Sequence, residues 1–185
     1  MAKSQFSPVV QAVRLILALI GGLFLIRVVD ALLGLGLNLL GIVPRTVHGL
    51  VGIVFAPLLH ANLNHLTANA VPLFVLLILL LSNREYHPYR ALAWIWLASG
   101  LGTWLIGRGQ AVHLGASSVI FGLAAFLIVA GFSARSWRAA LIAILVFFLY
   151  GGIFYGVLPQ AGPISWEGHF CGMVAGAWTA RKTLR

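Results

Sequence analysis

Six apolar runs, each close to the length that crosses a hydrocarbon layer, follow one another along this chain with only short polar breaks between most of them. Crossing takes roughly 20 residues at about 1.5 Å rise each, and a backbone in hydrocarbon must satisfy its own hydrogen bonds, so such runs specify helices. The runs fall at about 10–32, 63–82, 89–106, 116–132, 138–155 and 165–181. Of 185 residues, 61% are hydrophobic and 8% charged, too few charges to cover a soluble domain of this size. The expectation is an all-α membrane protein, a six-transmembrane-helix bundle forming one domain over residues 1–185 with no separate soluble domain. The first run has the position of a signal peptide, but it is long and no convincing small-residue cleavage site follows. The lone Cys171 excludes an internal disulfide and a multi-cysteine metal site.

Between the first two runs lies a Gly- and Leu-rich stretch, about 33–58, broken by Pro44 and Pro57. It is too interrupted to span and too apolar for a solvated loop, so it reads as a long structured interfacial loop with short helices. Arg27 and Asp30, three apart, can pair on one helical face. A formal net charge of +9 in a soluble protein would point to nucleic acid. Here the positive charges sit between apolar runs, so they report topology and no nucleic-acid partner is expected. With six spans, Lys3, Arg14, Arg84, Arg90, Arg135, Arg138, Arg181, Lys182 and Arg185 share the side of the termini. Arg45 and Arg108 lie on the other, with Arg27 near them. That bias places both termini in the cytoplasm, and the expected setting is a bacterial-type plasma membrane. The starts of the second, fourth and sixth runs then face outward.

Those starts carry the conspicuous polar residues: His60, His65 and Asn69, then Ser117, then His169. Polar groups in hydrocarbon must be satisfied or used. His65 and Asn69, four apart, share a helical face. Gly172 and Gly176 form a small-xxx-small face that lets the sixth helix approach a neighbour, and Gly122 on the fourth offers a matching flat surface. Such packing would bring Ser117 within hydrogen-bond reach of His169, and a hydrogen-bonded imidazole can activate a serine hydroxyl. The only acids are Asp30, Glu85 and Glu167. Glu85 is on the wrong side, Asp30 belongs with Arg27, and Glu167, two residues from His169, should point elsewhere. A Ser–His dyad is therefore the economical arrangement, with oxyanion donors available from the Ser117 amide, His65 and Asn69.

Plainer readings stand beside these. Serine at a helix start is commonly an N-cap, a histidine can serve helix packing, and His65 and Asn69 can bond freed backbone carbonyls. His48, His87 and His113 fall in loops and receive no role. No His-Glu-x-x-His occurs, and His60 and His65 lack a nearby carboxylate, so no metal site or other cofactor is expected. With one aspartate in the chain, a two-aspartate protease is excluded. Trp94, Trp96 and Trp104 read as lipid-facing or interfacial anchors.

His60-x4-His65-x3-Asn69, Gly115-x-Ser117 and His169-x2-Gly172-x3-Gly176, in this order across six runs, resemble the rhomboid family of intramembrane serine proteases. The resemblance implies Ser117 as nucleophile and His169 as general base. It implies an oxyanion site of His65, Asn69 and the Ser117 amide, with His60 supporting the loop and Phe121 packing on the histidine. Ser118 stands where the family motif has its second glycine, and the Trp-Arg pair of the first loop is absent, with Pro44-Arg45 the nearest basic feature. The implied substrates are single-span membrane proteins in the lipid bilayer, cut near the outer face where helix-weak residues let the segment unwind. They would enter beside the fifth helix and the turn from Gly156 to Pro163. The competing classes are a non-enzymatic relative that binds membrane helices for sorting or degradation, and a transporter. The first should have lost the serine or the histidine, and the second is disfavoured by the absence of an inverted repeat.

Overall fold

The computed structural model describes residues 8–133, 136–160, 162 and 164–184. Lys3, Arg135 and Arg185 of the charge count, and Pro163 of the expected turn, lie outside the described residues. Seven α-helices occur among the described residues: α1 (Pro8–Leu33), α2 (Gly52–Phe55), α3 (Leu63–Leu81), α4 (Pro88–Ile106), α5 (Ser117–Ser133), α6 (Trp137–Tyr150) and α7 (Trp166–Thr183). The expected fourth and sixth spans thus correspond to α5 and α7.

The helix ends follow local chemistry. Asn62 is extended and its Oδ1 accepts the His65 N–H at 2.8 Å, an N-cap that starts α3. Ser165 does the same for α7, accepting the Gly168 N–H at 3.3 Å. At the end of α1, Arg27 reaches Asp30 at 3.5 Å, and Asp30 Oδ1 accepts the Leu37 N–H at 2.9 Å as the chain turns. The expected span 138–155 is too long: α6 stops at Tyr150, and a 3₁₀ turn covers Gly151–Val157. Gly151 and Gly152 follow Tyr150 and weaken the α-helix there, although α1 carries Gly21 and Gly22 in its interior.

Of the six expected spans, length and composition single out two. Two described helices, over Val9–Leu33 and Leu63–Leu81, are long and apolar enough to cross a membrane, whereas Ser117–Ser133 and Trp137–Tyr150 are apolar but shorter. The stretch between α1 and α3 holds α2 and the 3₁₀ turns Leu37–Leu40, His48–Leu50 and Ala56–Leu58. It is pinned to α4. The Trp96 Nε1–H donates to the Ile53 and Val54 carbonyls at 3.2 Å and the Trp104 Nε1–H to the Thr46 carbonyl at 2.8 Å. These two tryptophans therefore tie loop to helix, a contact that their reading as lipid-facing or interfacial anchors does not contain, while Trp94 is exposed and packs edge-on to Trp178. Arg45, in the left-handed region at φ 60°, donates to the Leu105 and Gly107 carbonyls at 3.0 and 2.9 Å and so caps α4.

The centre of the molecule is α5, which packs against α3, α4, α6 and α7 and is apolar all round, as a helix buried on every side must be. Its Leu123, Phe126 and Leu127 meet Leu66, Leu76 and Ile95 in the core. The tightest crossing is with α7. A Cβ on Gly172 would lie 2.8 Å from the Ser118 carbonyl carbon, and one on Gly176 would lie 2.7 Å from that of Gly122. Main chain touches main chain there, which only glycine permits.

Candidate functional site

This crossing sets the starts of α5 and α7 side by side. Ser117 is the first residue of α5 and His169 lies in the first turn of α7. Two bonds define the imidazole. Its Nδ1 faces the Gly156 carbonyl at 3.0 Å and its Nε2 faces Ser117 Oγ at 3.0 Å. A carbonyl only accepts, so Nδ1 carries the proton, and the lone pair on Nε2 accepts the Ser117 hydroxyl. The orienting partner of the histidine is a main-chain carbonyl, which takes the place a carboxylate holds in a triad. Gly156 is glycine for room: a Cβ there would lie 3.0 Å from the Phe121 ring and 3.1 Å from His169 Nδ1. The Phe121 ring stacks on the imidazole, centroids 4.1 Å apart and planes 11° from parallel. At Ser118 it is the main chain that α7 passes, opposite Gly172.

A cavity of about 1280 Å³ opens onto these groups and is lined also by His65 and Asn69. Asn69 is buried, and its Nδ2 has no hydrogen-bond partner, a donor left free beside Ser117. Gly115 sits at φ +112°, and a Cβ on it would lie 2.6 Å from His65 Cε1. Glycine therefore both makes the turn into α5 and gives His65 its place. His60 is buried behind, edge-on to His65 with centroids 5.2 Å apart, and its Nε2 accepts the Ala116 N–H at 3.4 Å. Burial first, and the neighbouring His65 second, push its pKa down to about 4 against a smaller opposite pull from the Leu58 carbonyl. His60 is thus a neutral prop for the turn that presents Ser117.

Two rim features escape a sequence reading. His113, expected to be a loop residue without a role, is buried and pairs as an isolated bridge with Ile42. Its Nδ1 lies 2.6 Å from Ser165 Oγ, and burial lowers its pKa. Arg108 Nε sits 2.7 Å from the Glu167 carboxylate, which is buried. The Arg108 guanidinium also donates to the Gly162 and Ile164 carbonyls at 3.3 and 2.6 Å. His48, another loop histidine, sits in a 3₁₀ turn with its Nε2 bonded to the Leu39 carbonyl at 3.0 Å. Among the described residues, no three His, Cys, Asp or Glu side chains gather as metal ligands.

Residues 47–185 match the Rhomboid domain. An uncharacterized protein of Mycobacterium tuberculosis is 44% identical over 173 residues, covering 89% of this chain and 72% of the relative, and a Mycobacterium bovis protein gives the same values. An uncharacterized Mycobacterium leprae protein is 40% identical over 174 residues, covering 89% of this chain and 68% of its own length. No solved structure matches the chain.

Proposed function

The chain belongs to the rhomboid family, and on that footing we propose that it is an intramembrane serine endopeptidase with Ser117 as nucleophile and His169 as general base. The observation that carries the reading is the pair of 3.0 Å contacts on His169, Ser117 Oγ on one ring nitrogen and the Gly156 carbonyl on the other. That tautomer is the one that can take the serine proton. As Oγ attacks the scissile carbonyl, the proton passes to Nε2, and the Gly156 carbonyl steadies the imidazolium. The Ser117 N–H, His65 and the unpartnered Asn69 amide stabilise the developing oxyanion. His169 then protonates the leaving amine, and water hydrolyses the acyl-enzyme by the reverse sequence.

The setting is a bacterial plasma membrane crossed six times by α1, α3, α4, α5, α6 and α7, with both termini cytoplasmic and the cavity toward the outer face. The shorter helices fit this if the layer is thin around them. Substrates are single-span membrane proteins whose segment unwinds beside α6 and the turn after it. Cleavage of a model transmembrane substrate in liposomes tests the reading. Wild type should cut, and Ser117→Ala and His169→Ala should not. Cleavage by Ser117→Ala at the wild-type rate would falsify it.

A further inference from the structure

The start of α7, which presents His169, is held at the rim of the cavity by a chain of bonds that runs through His113. The His113 Nε2 faces the Arg108 carbonyl at 3.3 Å, and its Nδ1 faces Ser165 Oγ at 2.6 Å. The carbonyl cannot donate, so Nε2 carries the proton and Nδ1 must accept the Ser165 hydroxyl. That fixes the hydroxyl rotor and aims a lone pair of Ser165 Oγ at the Gly168 N–H, the capping bond of α7. The Ser165 carbonyl in turn accepts the His169 N–H at 3.1 Å. His113 thus reaches the main chain of His169 through one residue.

The His113 imidazole is itself held. Its backbone exchanges two 2.8 Å bonds with Ile42 of the first long loop. A Cβ on Gly107 would lie 2.9 Å from its Nε2, and one on Gly168 would lie 2.8 Å from Ser165 Oγ, so both ends of the relay lean on glycines. Arg108, whose carbonyl closes the chain, also grips Glu167. We propose that His113, acting through the Ser165 hydroxyl, is a positioning residue that sets the first turn of α7 and thereby the imidazole of His169 against Ser117. The first loop, the α4–α5 connection and α7 converge on this histidine, so the loop's seating bears directly on the geometry of the pair.

This inference rests on the protease reading, and its test separates the two. The rate at which a fluorophosphonate labels Ser117 is measured in detergent for wild type, Ser117→Ala, His113→Ala, Ser165→Ala, Ser165→Thr and the double alanine variant, together with kcat, KM and the thermal midpoint. Tyr86→Leu, in the buried turn between α3 and α4 where the ring packs edge-on to Phe126, serves as a stability control. A displaced first turn should slow labelling and kcat by about 10–100-fold in each single alanine variant with KM little changed. The double variant should be no slower than the worse single, and Ser165→Thr, which keeps the hydroxyl, should recover most of the rate. Wild-type labelling in His113→Ala and Ser165→Ala overturns the inference. So does a loss that merely tracks the midpoint, as it would in Tyr86→Leu. Failure of wild type itself to label at Ser117 overturns the protease reading instead.

Discussion

Gly176→Ala probes the crossing on which the whole site depends. The added Cβ would lie 2.7 Å from the Gly122 carbonyl carbon and 2.9 Å from its Cα. The Cβ also falls onto the Gly122 carbonyl oxygen, its nearest neighbour, and carbon pairs sit comfortably at about 3.5 Å or more, so α5 and α7 must part by at least roughly 0.8 Å. The atoms in the way are backbone, which cannot swing aside as a side chain tip can. Overpacking of this kind costs about 1–3 kcal/mol, a fall of roughly 2–12 °C in thermal midpoint for a chain of this size. Gly176 follows His169 by seven positions on the same helix, so a shift there carries to the site. Opened by the same amount, the 3.0 Å contact between His169 Nε2 and Ser117 Oγ passes beyond useful hydrogen-bond range. A misplacement approaching 1 Å lowers rate by about 10–100-fold. The assay is fluorophosphonate labelling of Ser117 beside thermal unfolding in the same detergent. Gly22→Ala is the control, because nothing lies within 4 Å of the position its Cβ would take; it should leave both readouts near wild type. If Gly176→Ala labels and unfolds as wild type does, the main-chain crossing is not what holds the pair together.

Other outcomes follow from the same geometry. Phe121→Ala removes the ring stacked 4.1 Å from the imidazole and should slow labelling about fivefold, a loss of about 1 kcal/mol in positioning, while Phe121→Tyr keeps the rate; equal rates for all three would refute a positioning role for the ring. His60, with its pKa lowered from 6.5 to about 4, makes stability depend on pH. Above 6.5 both folded and unfolded forms are neutral, between there and 4 the unfolded chain takes the proton first, and stability falls by up to about 3 kcal/mol. Thermal midpoints measured across that window should decline with acid in wild type and decline less steeply in His60→Asn, so parallel slopes would contradict the assignment. Arg108→Ala strands the buried Glu167 carboxylate and should cost about 1–3 kcal/mol, discounted because Arg108 is partly exposed. Adding Glu167→Gln should restore part of that loss, and a further drop in thermal midpoint on adding it would count against the pair.

Much of this arrangement is legible in the residues because apolar surroundings make polar ones conspicuous. Ser117, His169, His65 and Asn69 stand out by type and spacing, and Gly122, Gly172 and Gly176 announce a close crossing that the structure places at backbone contact. What stays hidden has a physical cause in each case. Gly156 contributes a carbonyl, which every residue has, so no side-chain pattern marks it. His113 lies in a polar break between helices and becomes buried where Ile42, far upstream, and Ser165, far downstream, fold against it. The end of α6 is misjudged because Gly151 and Gly152 sit among apolar residues, and hydropathy does not register that glycine weakens a helix. The tryptophans of α4 look like lipid anchors until the loop that receives their indole N–H groups is in place.

The central claim is that His169 makes Ser117 a nucleophile, and it is tested most directly by reacting the protein in detergent with a fluorophosphonate and locating the adduct by mass spectrometry. The account predicts one adduct, on Ser117, lost in Ser117→Ala and formed at least about 100-fold more slowly in His169→Ala, the loss expected for removing a general base. An adduct elsewhere, or one that forms on Ser117 equally fast without His169, would contradict it.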